Sequence, residues 1–271
     1  MNLSAVVLDI DGTLLNSQRH ISDANLAALQ ECARKGIVLY VATARPKRLV
    51  FRLYEVSEDV SFLTDRGVFY NGAMAIDREL DHIGHWPLSA ELVGFITSYL
   101  ADAVPDIQIA IQYKDDYHSF RQPVDDEMLE GWGFAREELI PFSEACQCEC
   151  SKIVAGHETR NLSDVYHELL EQCGDRSSMF LTDSDLWLQF MSSKASKENA
   201  LLELLSLRGI SPEEVVVFGD DMPDLGMFRT FGCSVAMANA KEPLKEAATY
   251  VTRSNDEDGV AFALEKYLGI L

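Results

Sequence analysis

The 271-residue sequence has no run approaching the ~20 consecutive apolar residues that a bilayer-spanning helix needs. Its first residues pass straight into a strand pattern, without the basic, apolar and small-residue succession of a secretory leader. A cytoplasmic protein is expected. Basic residues are scarce: 23 Lys and Arg stand against 44 Asp and Glu, a formal net charge of -21. That field repels nucleic acid and anionic membranes, so neither is an expected partner, and it should also repel a phosphorylated substrate. Cysteine is sparse too. Cys32, Cys146, Cys148, Cys150, Cys173 and Cys233 are too few for a disulfide scaffold in a chain this long, and free thiols are expected. Cys146, Cys148 and Cys150 alternate and on a strand would share one face. Structural zinc sites favour pairs two to four residues apart with a further ligand elsewhere, however, and no histidine follows until His157. The six histidines form no metal-ligand spacing and no Ser/His/Asp array. There is no Gly-x-Gly-x-x-Gly and no Gly-x-x-x-x-Gly-Lys-Ser/Thr string to cradle a dinucleotide or nucleotide phosphate, no internal repeat and no low-complexity tract.

What is present reads as an ordinary globular mixture, 47% apolar and 25% charged, long enough for two domains. Residues 5–10 and 36–42 are unbroken apolar runs, followed by a helical pattern at 23–35 and a helix starting near Pro46. Strand patterns return at 214–218, 233–237 and 249–252, with helices at 197–207, 224–228, 242–247 and 258–268. Continuous apolar strands separated by amphipathic helices indicate a parallel sheet covered on both faces. Between these blocks the texture changes. Strands at 107–113, 117–121, 151–155 and 187–191 alternate, with helices at 89–100 and 162–172, as in an inserted α+β domain. The expected division is 1–84 with 192–271 for the first domain and 85–191 for the insert. Trp86, Tyr113, Tyr117, Trp132, Phe134 and Trp187 of the insert are read mainly as core.

The string Val6-Val7-Leu8-Asp9-Ile10-Asp11-Gly12-Thr13 sets two carboxylates two residues apart at the carboxyl end of a buried strand, where α/β folds bind ligands. Strand alternation would point both to one side. Val215-Val216-Val217-Phe218-Gly219-Asp220-Asp221-Met222-Pro223-Asp224 repeats the device, releasing three acids after a second apolar strand. Carboxylates converging on one sheet edge repel one another unless a hard cation neutralises them, and Mg²⁺ suits such oxygens.

Asp9-Ile10-Asp11-Gly12-Thr13 resembles the first motif of the haloacid dehalogenase-like (HAD) superfamily. Thr43-Ala44-Arg45 resembles the second motif, Lys197 within Lys194-Ala195-Ser196-Lys197-Glu198-Asn199-Ala200 the third, and Gly219-Asp220-Asp221-Met222-Pro223-Asp224 the fourth. Asn71-Gly72-Ala73, Val235-Ala236-Met237-Ala238-Asn239-Ala240 and the stretch from Ser254 to Ala261 are similar to the Cof-type phosphatase subfamily in particular. The resemblance implies an α/β fold, a Rossmann-like parallel-sheet core with an inserted α+β cap domain of the C2 type.

It also implies chemistry. The activity would be a Mg²⁺-dependent phosphomonoester hydrolase that passes through an aspartyl-phosphate. Asp9 would be the nucleophile, and Asp11 the general acid and then base. Asp9, the backbone carbonyl of Asp11, and Asp220 would ligate the metal, with Asp224 holding a metal-bound water. Thr43, Ala44, Lys197 and Arg45 would meet the phosphate, and Lys194 is the rival of Lys197. A small phosphorylated metabolite, a sugar phosphate or a phosphorylated cofactor precursor, is the expected substrate. A phosphomutase of the same superfamily and a catalytically weak phosphate-ligand sensor are the alternatives; oligomeric state is open. Two residues depart from the pattern: Ala44 stands where glycine is usual, and Pro223 where asparagine is usual, which predicts a lost polar contact.

Overall fold

A computed structural model of the chain describes residues 3–54, 65–114 and 117–269, residues 51–54 by their backbone only. They form two compact units. The first comprises Met1–Arg45, Leu53–Gly84 and Ser196–Leu271, and the second Pro46–Arg52 and His85–Ala195.

In chain order the elements begin with β1 (Ala5–Leu8), α1 (Asp23–Arg34), β2 (Val38–Ala42), α2 (Lys47–Tyr54), β3 (Arg66–Phe69), β4 (Met74–Asp77) and β5 (His82–His85). The insert supplies α3 (Ala90–Ala103), β6 (Gln108–Tyr113), β7 (Tyr117–Phe120), α4 (Asp126–Trp132), α5 (Phe142–Ala145), β8 (Lys152–Gly156), α6 (Ser163–Cys173), β9 (Ser177–Thr182) and β10 (Trp187–Ser192). The chain then returns with α7 (Lys197–Leu207), β11 (Val215–Gly219), α8 (Leu225–Thr230), β12 (Cys233–Ala236), α9 (Glu242–Ala247), β13 (Tyr250–Val251) and α10 (Gly259–Lys266).

The first sheet has the order β13-β12-β11-β1-β2-β3-β4-β5. From β13 to β3 every pairing is parallel, and β3 meets β4 antiparallel. All residues of β1 and β11 are buried, which is why both read as unbroken apolar runs. Leu8 pairs with Phe218 on one side and Val41 on the other. The residues that follow, Asp9, Gly219-Asp220 and Ala42-Thr43, therefore emerge at one level of the carboxyl edge. The chain runs outward from β1 through β2 and β3, then returns to its other flank as β11, so this edge is also where the strand order switches direction.

The helices start where local chemistry caps them. Ser22 accepts from the Asn25 amide at 3.2 Å to open α1, and Ser196 accepts from the Asn199 amide at 3.2 Å to open α7. A half-buried arginine paired with a buried carboxylate fastens α7 to the sheet. Arg208, just past α7, donates from Nε and Nη2 to Asp77 at 2.6 Å each and from Nη2 to Glu79 at 2.9 Å, while Tyr40 Oη donates to Asp77 at 3.0 Å. Burial acts to raise the Asp77 carboxyl, but the Arg208 and Tyr40 hydrogen bonds and the Arg208 charge outweigh it, and its pKa lies below the ordinary value. Arg208→Met leaves that carboxylate buried without its cation and should cost about 3–5 kcal/mol in urea unfolding at pH 7. A depressed carboxyl contributes stability above its unfolded pKa of about 3.9 and loses it as pH falls through the folded value, so the deficit should shrink in strong acid. Adding Asp77→Asn should restore much of it.

The second unit is built on an antiparallel sheet of order β7-β6-β8-β10-β9. Its core gathers Val93, Ile96 and Leu100 of α3, Val165 and Leu169 of α6, and the inward residues Ile109, Ile111, Ile153, Leu188 and Phe190 of the strands. The three alternating cysteines do not lie along a strand. Cys146 caps α5, Cys148 sits in the turn after it and Cys150 is buried beyond; all six cysteines are free.

Candidate active site

Asp9 continues β1 by one ladder bond, its amide donating to Phe218 O at 3.1 Å, and its carboxylate is buried. Lys197, the first residue of α7, is 3% exposed and reaches two acids, donating from Nζ to Asp9 Oδ1 and to Asp224 Oδ1 at 2.6 Å each. A cation at a helix N-terminus opposes the helix dipole, and these two carboxylates supply the compensation. Lys194, its rival in sequence, is exposed. Asp224 is itself 1% exposed, and its Oδ2 accepts from the amides of Asp220 at 3.1 Å and Asp221 at 3.2 Å. It folds the loop that presents Asp220. Pro223 fits this turn: it occupies the first turn of Met222–Asp224, where a missing N–H costs no helical bond.

Oxygens of Asp9, Asp220 and Asp224 lie within 4.8 Å of one another. Three carboxylates against one ammonium leave two negative charges in a largely buried space. Burial, with the Asp224 and Asp220 charges adding and Lys197 opposing, raises the Asp9 pKa well above its usual value. Burial, with the charges of Asp224 and Asp221, pushes Asp220 up to about 7 despite a hydrogen bond from Thr13 Oγ1 at 3.1 Å. Burial disfavours the Lys197 charge as well, yet Asp224 and Asp9 outweigh it and hold its pKa above the ordinary value. Three converging acids with only oxygen donors, two of which, Asp9 and Asp220, resist ionisation, fit a hard divalent cation, whose charge offsets the penalty on those two.

Asp11 takes a different course. The strand ends at Leu8, alternation ceases, and the exposed Asp11 carboxylate is gripped by Arg45, with Nε to Oδ2 at 2.6 Å and Nη2 on Oδ1. Asp9 and Asp11 thus take different partners at this edge: Asp9 meets Lys197, and Asp11 meets Arg45. The Arg45 guanidinium is correspondingly engaged with an acid. Thr43 is 1% exposed at the end of β2; its amide donates to Val68 O at 2.9 Å, and its Oγ1 accepts from the Arg45 amide at 3.1 Å, leaving the hydroxyl proton to give. Ala44, between them, is half-buried.

Sequence reasoning gave no structural role to the Asn71-Gly72 turn. The Asn71 amide donates to Thr43 O at 3.0 Å, and Gly72, at φ +103, lies so close to Ser196 that a Cβ would stand 2.2 Å from its carbonyl carbon and oxygen. This turn seats the end of β2 against the start of α7. Gly72→Ala should cost about 2–4 kcal/mol in urea unfolding, because both the left-handed φ and the contact with backbone oppose a side chain. It should also lower activity by moving Lys197. In the insert, Phe120, Trp132 and Trp187 line a cavity of about 60 Å³, so part of the aromatic set is not closed core.

The sequence pattern of the haloacid dehalogenase-like hydrolases matches residues 6–264. Among curated relatives, the chain is 28% identical to a protein of Arabidopsis thaliana named "Endoribonuclease YBEY, chloroplastic" over 97% of its own length but only 46% of that protein's. It is 26% identical to the 5-amino-6-(5-phospho-D-ribitylamino)uracil phosphatase YcsE of Bacillus subtilis, across 99% of this chain and 97% of that one. Among solved structures, the subclass IIB sugar phosphatase BT4131 superposes with a TM-score of 0.82 at 25% identity, covering 99% of this chain and all of that one.

Proposed function

The chain belongs to the haloacid dehalogenase-like hydrolase family and is a phosphatase, and from that premise we propose that it hydrolyses a small phosphomonoester, with Mg²⁺, through a phosphorylated Asp9. The observation that carries this reading is the buried constellation in which Lys197 bonds Asp9 and Asp224 at 2.6 Å while Asp220 stands beside them.

Asp9, Asp220 and the backbone carbonyl of Asp11 would hold the metal, and Asp224 would fix the Asp220 loop and a metal-bound water. When bound, Mg²⁺ supplies the positive charge that lets a phosphate dianion approach a carboxylate. Lys197 offsets the same repulsion and orients Asp9 so that the oxygen not held by Nζ faces phosphorus. An oxygen of Asp9 bonds to phosphorus as the bond from phosphorus to the leaving oxygen breaks. Asp11, on leaving Arg45, takes up a proton from solvent and gives it to that oxygen; the Asp11 carboxylate then removes a proton from the water that cleaves the aspartyl-phosphate, which returns Asp9, inorganic phosphate and a protonated Asp11. The Thr43 hydroxyl and the Ala44 amide donate to phosphoryl oxygens, and Arg45, once released, can join them.

The substrate class follows the relatives: a sugar phosphate, as for BT4131, or a phosphorylated ribitylaminouracil, as for YcsE. A phosphate-release screen over both classes, with Mg²⁺ and with EDTA, tests the reading. Turnover restricted to the Mg²⁺ arm is expected; no release from any ester, or equal release in EDTA, would overturn it. Isomerised product without free phosphate would indicate a mutase instead.

A further inference from the structure

Two asparagines outside the acidic motifs converge on the loop that follows β1. Asn239, in the turn after β12, donates from Nδ2 to Gly12 O at 2.8 Å. Its other end is fixed as well, because the Asn255 amide, in the loop after β13, donates to Asn239 Oδ1 at 3.1 Å. The amide therefore has one orientation: only its nitrogen can face a carbonyl, and only its oxygen can face an N–H. Asn255 adds a second tie, Nδ2 to Leu15 O at 2.8 Å. Two residues beyond Asn239, the Lys241 amide donates to Asp220 O at 3.0 Å. One short turn thus touches both acidic loops.

The residue it holds is the pivot of the first loop. Gly12 adopts φ +77, and a Cβ there would stand 2.3 Å from Asp220 Oδ2, so its Cα lies against the Asp220 carboxylate. With that contact on one side and Asn239 on its carbonyl, the Gly12 backbone is held at both ends. The peptide that precedes it carries the Asp11 carbonyl.

We propose that Asn239 is a positioning residue for the metal site, relayed from Asn255, which sets the Gly12 peptide and through it the direction of the Asp11 carbonyl relative to Asp220. This rests on the metal reading above. Asn239 is exposed and half of its work is a single bond to backbone, so removing it should change the site more than the fold.

The test is calorimetric titration of MgCl₂ into the EDTA-stripped full chain. Asn239→Ala should bind Mg²⁺ about tenfold more weakly, as loss of groups that orient ligands does elsewhere. Its metal-free melting temperature should stay within about 2 °C of the unsubstituted chain, and KM for the phosphomonoester at saturating Mg²⁺ should not move. Asn239→Asp is the sharper variant. It keeps an oxygen for the Asn255 amide but sets a second oxygen against the Gly12 carbonyl, so it too should weaken binding, whereas an added negative charge near a cation would by Coulomb attraction alone tighten it. Unchanged affinity in Asn239→Ala, or tighter binding in Asn239→Asp, overturns the proposal. A metal-free melting temperature lowered by more than about 5 °C overturns it too, assigning Asn239 to stability. If the unsubstituted chain binds no Mg²⁺, the metal reading itself fails, and that outcome is separate because it needs no variant.

Discussion

Asp9→Asn should abolish phosphate release, by about 10⁴-fold or more, without loss of folding. The two halves of that expectation come from different physics. An amide oxygen is a poor nucleophile toward phosphorus and cannot carry a stable phosphoryl group, so the covalent step has no substitute. The fold, by contrast, should tolerate the change. Asn Oδ1 can still accept from Lys197 at the place where Asp9 Oδ1 does now, and one of three mutually repelling carboxylates disappears. Since burial and the neighbouring acids already raise the Asp9 pKa, its charge is a burden on the metal-free protein at neutral pH. The variant should therefore be at least as stable as the unsubstituted chain in urea with EDTA present. Its stabilisation by Mg²⁺ should be smaller, because one ligand has lost its charge. Steady-state phosphate release within tenfold of the unsubstituted rate would remove Asp9 from the nucleophile's role.

How much of this could be read beforehand depends on which residues are asked about. The strands β1 and β11 were legible because a parallel strand covered on both faces must be apolar throughout, and α7 and α9 came out with the expected bounds. The strands β3, β4 and β5 were not foreseen. Each has four residues, too few to establish a period, and the first opens on Arg66 and Gly67. In the second unit β9 escaped for a related reason: Ser177-Ser178-Met179-Phe180-Leu181-Thr182 neither alternates nor runs apolar.

The site shows the same division. That the two acidic strings end at one sheet edge followed from their strands; that Lys197, 188 positions from Asp9, meets it came from family resemblance and has no signature in spacing. The Asp11–Arg45 pair went unforeseen because its members lie 34 positions apart, on the loops after two different strands, and nothing in local spacing joins them. Pro223 was read as a loss by residue type alone, while its place in the turn makes it a fixed φ at the position that carries Asp224. Asn239 is the extreme case. A side-chain amide bound to a backbone carbonyl 227 positions away leaves no trace in composition or period, and only coordinates reveal it.

Lys197→Met tests whether one side chain serves both stability and chemistry. Methionine keeps the unbranched apolar stem and removes the ammonium, so Asp9 and Asp224, both buried, lose the cation that each holds at 2.6 Å. Breaking a buried pair from one side strands the remaining charge and costs about 3–5 kcal/mol, and here one substitution strands two. In the unsubstituted chain the Lys197 pKa is raised, so its contribution is complete below the unfolded value of about 10.4 and is lost only as pH climbs through the folded value. At pH 7 the whole difference should therefore appear in urea unfolding. Toward acid the gap should narrow, since Asp9, whose pKa burial already raises and the lysine no longer opposes, regains neutrality by taking up a proton. Mg²⁺ should also narrow it, supplying from solution the charge that the lysine supplied. Activity separates the two roles. If Lys197 only balanced charge for the fold, saturating Mg²⁺ would restore turnover along with stability. If it also orients Asp9 and meets the phosphate, the Mg²⁺-loaded variant should be folded and still slower by about 10³-fold, because neither the aim of the nucleophile nor a donor at the transferring group can be replaced by an ion bound to Asp220. Recovery of turnover to within tenfold in the loaded variant would confine Lys197 to the fold.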